Sequence, residues 1–360
     1  KLPVLFFCEN NGLAIQSKIT SRQSFDILKH AQSYGIETLH IKNGWDFLEI
    51  KKQVMLAKKK IINDSQPFFI LVDTLRFFEH VGIQKETLKV QHTRKNNSKW
   101  WYGKDVINKH ENLKEELKSS IMNEINKAIK YAEESKFPKK SDLFSNLTTP
   151  LNSKKKLKKD ILTTKKIISF RDSIFLTIKK QMKKNKNIVV FGQGVDDKNG
   201  TFGTTKNLNK LFGDDRCFDT PIAEESLCGF ALGLSISNFY PINIHIRNDF
   251  LLLAFNQIVN LISKFEYMFG GIYKTPLLIR AIIGRSWGQG AQHSQSIQSM
   301  LSHNPGITVI MPSSAQSIFE SYSYAITNYR GPVISLEHRV LYDLKFRIGA
   351  TKSLNPFKPK

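Results

Sequence analysis

Short apolar runs and amphipathic stretches alternate through the first third of the chain. PVLFFCEN (3–10) is a continuous apolar run that ends in polar residues, the pattern of a strand buried on both faces of a parallel sheet. The stretch from Ser24 to Tyr34 predicts an amphipathic helix, ETLHI a strand, WDFLEIKKQVMLAKKKII a long helix and QPFFILVDTL a second buried strand. A charged, helical pattern occupies 112–136. Periodicity then stops: residues 137–166 are rich in Lys, Ser, Thr and Pro, and predict a basic linker.

The alternation restarts after the linker. ISFRDSIFLTIKKQMKK predicts a helix, NIVVFGQG a strand, and TPIAEESLCGFALGLSISN a helix whose Gly229 and Gly233 would admit a close neighbour. YPINIHI (240–246), TPLLIRAII (275–283), ITVIMP (307–312) and PVISLEH (332–338) predict further strands, with helices at 249–269 and 314–328. Repeated strand, helix, strand units imply α/β architecture: two tandem parallel sheets covered by helices. The expected division is a first unit at 1–136, the linker at 137–166, a second unit at 167–350 and a tail at 351–360. Neither unit looks complete, and the first is expected to lack its beginning.

At 360 residues, with 41% hydrophobic and 11% aromatic residues, the chain has material for two cores and is neither disordered nor fibrous. No apolar run approaches the roughly 20 residues that span a bilayer, so no membrane partner is expected. Cys8, Cys217 and Cys228 have no CxxC spacing, which argues against a zinc site and for a reducing, cytoplasmic setting. A net charge of +23 raises the question of nucleic acid. The lysines, however, fall on presumed helix surfaces and in the linker, without interleaved aromatics, and no specific nucleic-acid partner is expected.

Four polar clusters fall where strands end or helices begin: CENNGLAI, DTLRFFEHVG, FDTPIAEES and RSWGQGAQHSQ. Ligands of parallel α/β sheets sit at such strand ends. Singly, each has a plainer reading: a turn for Asn-Asn-Gly, a hydrogen-bonded structural group for a strand-end histidine, and a dipole complement for a first-turn glutamate.

In these segments the chain resembles a known family. LPVLFFCENNGLAI is similar to the segment closing the thiamine diphosphate motif in the α subunit of 2-oxo acid dehydrogenase E1 components, and DTLRFFEHVG to that subunit's later histidine segment. ISFRDSI, VVFGQGV, CFDTPIAEESLCGFALGLS, NDFLLLAFNQIVN, AQHSQSIQ, PGITVIMPSS and GPVISLEHRVLY resemble, in order, the pyrimidine-binding domain of the β subunit. The likeness covers most of the chain apart from about 85–165. It implies two tandem thiamine diphosphate-binding-fold units: the C-terminal half of an α-type diphosphate domain, truncated at its N-terminus, fused to a β-type pyrimidine-binding domain.

The resemblance also implies roles. Glu224 matches the carboxylate that binds the cofactor's pyrimidine nitrogen, and Phe250 the aromatic packed on that ring. His293 matches a reacting or substrate-orienting histidine, with Gln292, Ser294 and Gln295 holding its loop near substrate. Asn11 by its side chain and Leu13 by its carbonyl match ligands of magnesium (Mg2+), while His80 matches a diphosphate contact with Arg76 close by. The implied activity is thiamine diphosphate-dependent oxidative decarboxylation of a 2-oxo acid. The implied partners are the lipoyl-bearing E2 acyltransferase that accepts the acyl group and other E1 chains in a homo- or hetero-oligomer.

The chain departs from the family in places. The Gly-Asp-Gly that supplies another magnesium carboxylate would lie just upstream of Lys1, so this chain alone is expected to hold magnesium poorly. The β-type C-terminal domain is likewise expected to be missing. A truncated, non-catalytic scaffold that keeps the fold and the subunit interface is the alternative expectation. The usual Gly-His-Ser reads Glu79-His80-Val81, and Arg247 stands where an aromatic or small polar residue is usual. An arginine there would favour a substrate with an additional carboxylate or phosphate rather than pyruvate or a branched-chain 2-oxo acid.

Overall fold

A computed structural model describes residues 2–15, 17–76, 78–82, 111–150, 167–197, 199–284 and 289–348, with 111–114 as backbone. The chain divides into two compact units, Lys1–Lys136 and Phe137–Lys360. Among the described residues no helix is long and apolar enough to cross a membrane.

The longer elements of the first unit are β1 (Leu5–Asn10), α1 (Ile27–Ser33), β2 (Glu37–Ile41), α2 (Phe47–Asp64), β3 (Phe68–Asp73) and α3 (Glu111–Glu134). Both early helices start where an aspartate can cap them. Asp26 accepts from Lys29 N at 2.8 Å and Asp46 from Glu49 N at 3.0 Å, satisfying amides that have no partner within the helix. The three strands are parallel in the order β1-β3-β2. Ile41, Ala57, Ile61, Phe68, Ile70 and Val72 form the core between α2 and the sheet. The expectation that β1 is buried on both faces is corrected: it pairs with β3 on one side, and Phe6 and Phe7 are exposed among the described residues.

In the second unit come β4 (Ile167–Ser169), α4 (Phe170–Lys184), β5 (Ile188–Gly192), β6 (Cys217–Asp219), α5 (Glu224–Ile236), β7 (Tyr240–His245), β8 (Leu277–Ile283), β9 (Thr308–Ile310), α6 (Ala315–Thr327), β10 (Pro332–His338) and β11 (Lys345–Arg347). Six strands form a parallel sheet in the order β9-β10-β8-β7-β5-β6. β4 and β11 pair antiparallel beside it. Side chains alternate between the sheet's faces. Val190, Ile242 and Leu278 meet α4 and α6 on one face, while Val189, Phe191 and Ile279 meet α5 and the 248–262 segment on the other.

The helix expected over 249–269 is broken into a 3-10 turn at Asn248–Ala254, a π turn at Gln257–Ile262 and a short α turn at Phe265–Met268. Gly229 and Gly233 face open space rather than a close neighbour. Part of the predicted linker is docked: Thr149 is buried on the second unit, and its Oγ1 donates to Glu266 Oε2 at 2.7 Å. Residues 151–166 and the tail at 351–360 lie outside the described residues.

One ion pair lies wholly inside this core. Arg280 on β8 donates from Nε to Glu337 Oε1 at 2.6 Å and from Nη2 to Oε2 at 2.9 Å, both side chains being fully buried. Tyr342 donates to Glu337 at 2.5 Å, Tyr322 donates to the same carboxylate, and Thr204 accepts from Arg280 at 3.1 Å. Removing one partner strands a buried charge, which costs about 3–5 kcal/mol, whereas replacing both by apolar groups is often neutral. Arg280→Met is therefore expected to lower the thermal midpoint sharply, and Arg280→Met with Glu337→Leu to recover most of the loss, as calorimetry would show.

Candidate functional site

From β5 the chain runs outward to the edge strand β6 and then returns on the other side of β5 as β7. The connections after β5 and β7 therefore diverge, leaving a crevice at the carboxyl ends of these two strands, the place where open α/β sheets take ligands. Gly192 closes β5 there. It has φ +141°, and a Cβ on it would lie 2.1 Å from Ile244 O, so no other residue fits this approach.

The next residue, Gln193, is thereby held against β7. Its backbone N donates to Ile244 O at 3.1 Å, and its Oε1 accepts from Ile246 N at 3.4 Å. Its Nε2 donates to Glu224 Oε1 at 2.9 Å. Glu224 opens α5, where the helix N-terminus favours a carboxylate, and it is 5% exposed. Its Oε2 has no partner among the described residues, so one carboxylate oxygen is fixed and the other is open to a donor.

Four consecutive residues after β7 hold the AQHSQ loop. Arg247 donates from Nη2 to Gln289 Oε1. Asn248 donates from Nδ2 to Gln295 O at 3.0 Å and accepts from Ile297 N at 3.4 Å. Asp249 Oδ1 accepts from Gln295 N at 2.8 Å. Phe250 meets the His293 ring edge-on, with centroids 5.4 Å apart. His293 Nδ1 lies 3.0 Å from Gln289 O. A carbonyl only accepts, so this contact places the proton on Nδ1 and leaves Nε2 with a free lone pair in the neutral ring.

The structure thus brings Phe250 and His293 together, joins Arg247 and Gln295 to the same loop, and sets Glu224 on Gln193. Gln292 is exposed and accepts from Gln295 Nε2 through its backbone carbonyl at 3.3 Å. Sequence reasoning missed Gln193, Asn248, Asp249 and Gln289. The signal for the middle two was an Asn-Asp pair directly after a buried strand; nothing local marked Gln193 or Gln289. On the α4 side of the same edge, a cavity of about 720 Å³ is lined by Gly194, Ile246, Arg171, Lys206 and Arg339. Arg171 and Arg339 both pair with Asp343, at 2.7 and 3.4 Å, so much of its cationic charge is internally compensated.

In the first unit, Asn11 and Leu13 lie in the turn after β1. Asn11 Oδ1 accepts from Leu13 N at 2.8 Å, and the turn's Gly12 O accepts from Ile19 N at 3.0 Å. Arg76, beyond β3, donates from Nη1 to Ile15 O at 2.6 Å, so both strand ends meet at one edge. His80 is exposed. As oxygen donors Asn11 and Leu13 suit a hard cation in kind, but they are two of the six that octahedral magnesium takes. Among the described residues the acidic cluster able to approach a metal is Asp196, Asp197 and Asp219, in the second unit.

One helical turn below Glu224, Cys228 Sγ lies 3.7 Å from His245 Nε2, which is 3.0 Å from Asn243 Nδ2. All three residues are fully buried, and His245 Nδ1 has no hydrogen-bond partner among the described residues. Burial, helped by the Glu224 charge, pushes the Cys228 thiol up to about 12, so it is inert at neutral pH. Burial also lowers His245 to about 4, so the ring is neutral.

Residues 166–345 match the family model for the transketolase pyrimidine-binding domain, and residues 1–141 that for the dehydrogenase E1 component. A chloroplastic pyruvate dehydrogenase E1 component subunit beta-3 from Oryza sativa is 37% identical over 168 residues, covering 47% of this chain and 43% of that protein. A 2-oxoisovalerate dehydrogenase subunit beta from Bacillus subtilis is 30% identical over 178 residues, covering 49% and 54%. The chain spans about half the length of these curated relatives. Among solved structures, a transketolase from Leishmania mexicana matches with TM-score 0.58 at 11% identity, covering 96% of this chain and 52% of that one, a likeness of fold.

The buried His245 gives a signed pH dependence. Between pH 6.5 and about 4 the unfolded chain binds a proton that the folded one refuses, so stability falls as pH falls through that window. The expected slope is about 1.4 kcal/mol per pH unit. Urea unfolding across the window should show this slope in the native protein and its loss in His245→Gln.

Proposed function

The chain belongs to the transketolase pyrimidine-binding domain family, and from that premise we propose that it acts as an E1-type 2-oxo acid dehydrogenase. The observation that carries this reading is Glu224: a buried carboxylate at a helix N-terminus beside the switch point, with one oxygen fixed by Gln193 and the other open. A carboxylate so placed suits the aminopyrimidine of thiamine diphosphate, which when bound supplies a nucleophilic carbon and an electron sink for decarboxylation.

In this reading Glu224 holds or moves a proton at the open Oε2, and Phe250 offers an apolar face to a ring. His293 acts through Nε2 as base and then as acid toward the substrate oxygen, with Nδ1 kept protonated by Gln289 O. Gln292 and Gln295 bound the substrate side of the loop. In the first unit Asn11 and Leu13 would supply two magnesium ligands, and His80 and Arg76 would contact diphosphate oxygens. The acyl group would pass to the lipoyl arm of an E2 acyltransferase, within an oligomer of E1 chains. The free cysteines suit a reducing cytoplasm.

Arg247 would select the substrate. Its guanidinium is held by Gln289 beside the histidine loop, and a planar cation there pairs with a second carboxylate or a phosphate. Decarboxylation is expected to favour 2-oxo acids bearing a second anionic group over pyruvate, by roughly tenfold or more, with Arg247→Phe erasing the preference. Pyruvate as the best substrate, unaffected by that change, would sink the assignment.

Thermal unfolding with thiamine diphosphate and magnesium tests the cofactor reading. A ligand at 100 times its dissociation constant stabilises the folded state by about 2.7 kcal/mol. The midpoint is expected to rise with cofactor in the native protein and not in Glu224→Ala. No shift in either would favour a non-catalytic scaffold.

A further inference from the structure

We propose that Asn248 and Asp249 are positioning residues that lock the 295–297 backbone to the end of β7 and thereby set where His293 stands; the catalytic part of this rests on the reading of His293 above. Both side chains are buried, at the first two positions of the 3-10 turn that follows β7. Their polar atoms go to main-chain groups of a segment without regular structure: Gln295 N, Gln295 O and Ile297 N. Backbone groups in such a segment need partners when water is excluded, and here two adjacent side chains take the place of a neighbouring strand.

The contacts on either side complete the lock. Arg247 grips Gln289 before the histidine and Phe250 meets the histidine itself, while the Asn248–Asp249 pair grips the chain two to four residues after it. Residues 247–250 and 289–297 are therefore joined along their length, and the substrate-side groups Arg247, Phe250 and His293 move as one body with β7. Asp249 adds charge to this arrangement: its carboxylate attracts the Arg247 guanidinium against the burial that disfavours that cation. Geometry held within a fraction of an ångström is what proton transfer at a substrate oxygen requires.

Three variants separate the lock from general stability. Asp249→Ala removes the acceptor, Asp249→Asn keeps the shape and an acceptor oxygen, and Asn248→Ser removes the Nδ2 donor. The first readout is amide hydrogen exchange by mass spectrometry on the whole chain. Asp249→Ala and Asn248→Ser are expected to speed exchange in the 289–297 segment by roughly tenfold or more, with β8 and α6 unchanged and Asp249→Asn close to native. Unchanged exchange in that segment, or an equal rise across the whole second unit, would overturn the lock.

The second readout is turnover of a 2-oxo acid with added thiamine diphosphate and magnesium. Asp249→Ala should lower kcat by about tenfold or more with a smaller change in KM, and Asp249→Asn should recover most of it. A native chain whose turnover is absent or indifferent to His293→Ala overturns the functional reading and the catalytic part of the proposal, while exchange still decides the lock. Native turnover that depends on His293 but not on Asp249 overturns the positioning role alone.

Discussion

At Gly192 the backbone of β5 lies so close to β7 that a Cβ would stand 2.1 Å from Ile244 O. This approach fixes the mouth of the crevice where the sheet reverses its order, and the other site contacts of the second unit are placed by it. Gln193 is the residue that follows, so its amide side chain reaches Ile246 N on one side and Glu224 on the other. Glu224 is set by the start of α5, and the segment holding the histidine loop starts where β7 ends. A shift of β5 against β7 would move all of these together.

The second unit uses buried polarity in two different ways. Around Arg280 the charges are paired at both ends and bonded by tyrosines, so the low dielectric strengthens the pair and its loss is costly. Beneath Glu224, the Cys228, Asn243 and His245 cluster is neutral: burial suppresses both the thiolate and the imidazolium. The first arrangement ties β8 to β10. The second places an uncharged layer one helical turn below Glu224.

The two family matches divide the candidate site residues between them. The matched pyrimidine-binding segment contains the crevice, Glu224, Phe250 and His293. The segment matched to the E1 component contains the turn with Asn11 and Leu13, and Arg76 and His80 beyond the neighbouring strand. Fold likeness to transketolase at 11% identity shows how little of the side-chain detail the architecture requires.

Strands such as ETLHI and PVISLEH and helices such as α2 and α6 were legible because apolar spacing is a local property, recorded within a few residues of each element. Glu224 and His293 stood out for the same reason, as polar residues in motifs at strand and helix boundaries. Tertiary structure alone decided that Phe6 and Phe7 of β1 are exposed among the described residues, that the helix after Arg247 is broken, and that residues near Thr149 dock on the second unit. It alone joined Gln193 to Glu224, 31 residues away, and Asp249 to Gln295, 46 residues away. Spacing within an element reports which face is buried. It carries no record of which distant backbone group a buried amide or carboxylate will meet, because that depends on strand order, and strand order is settled by packing.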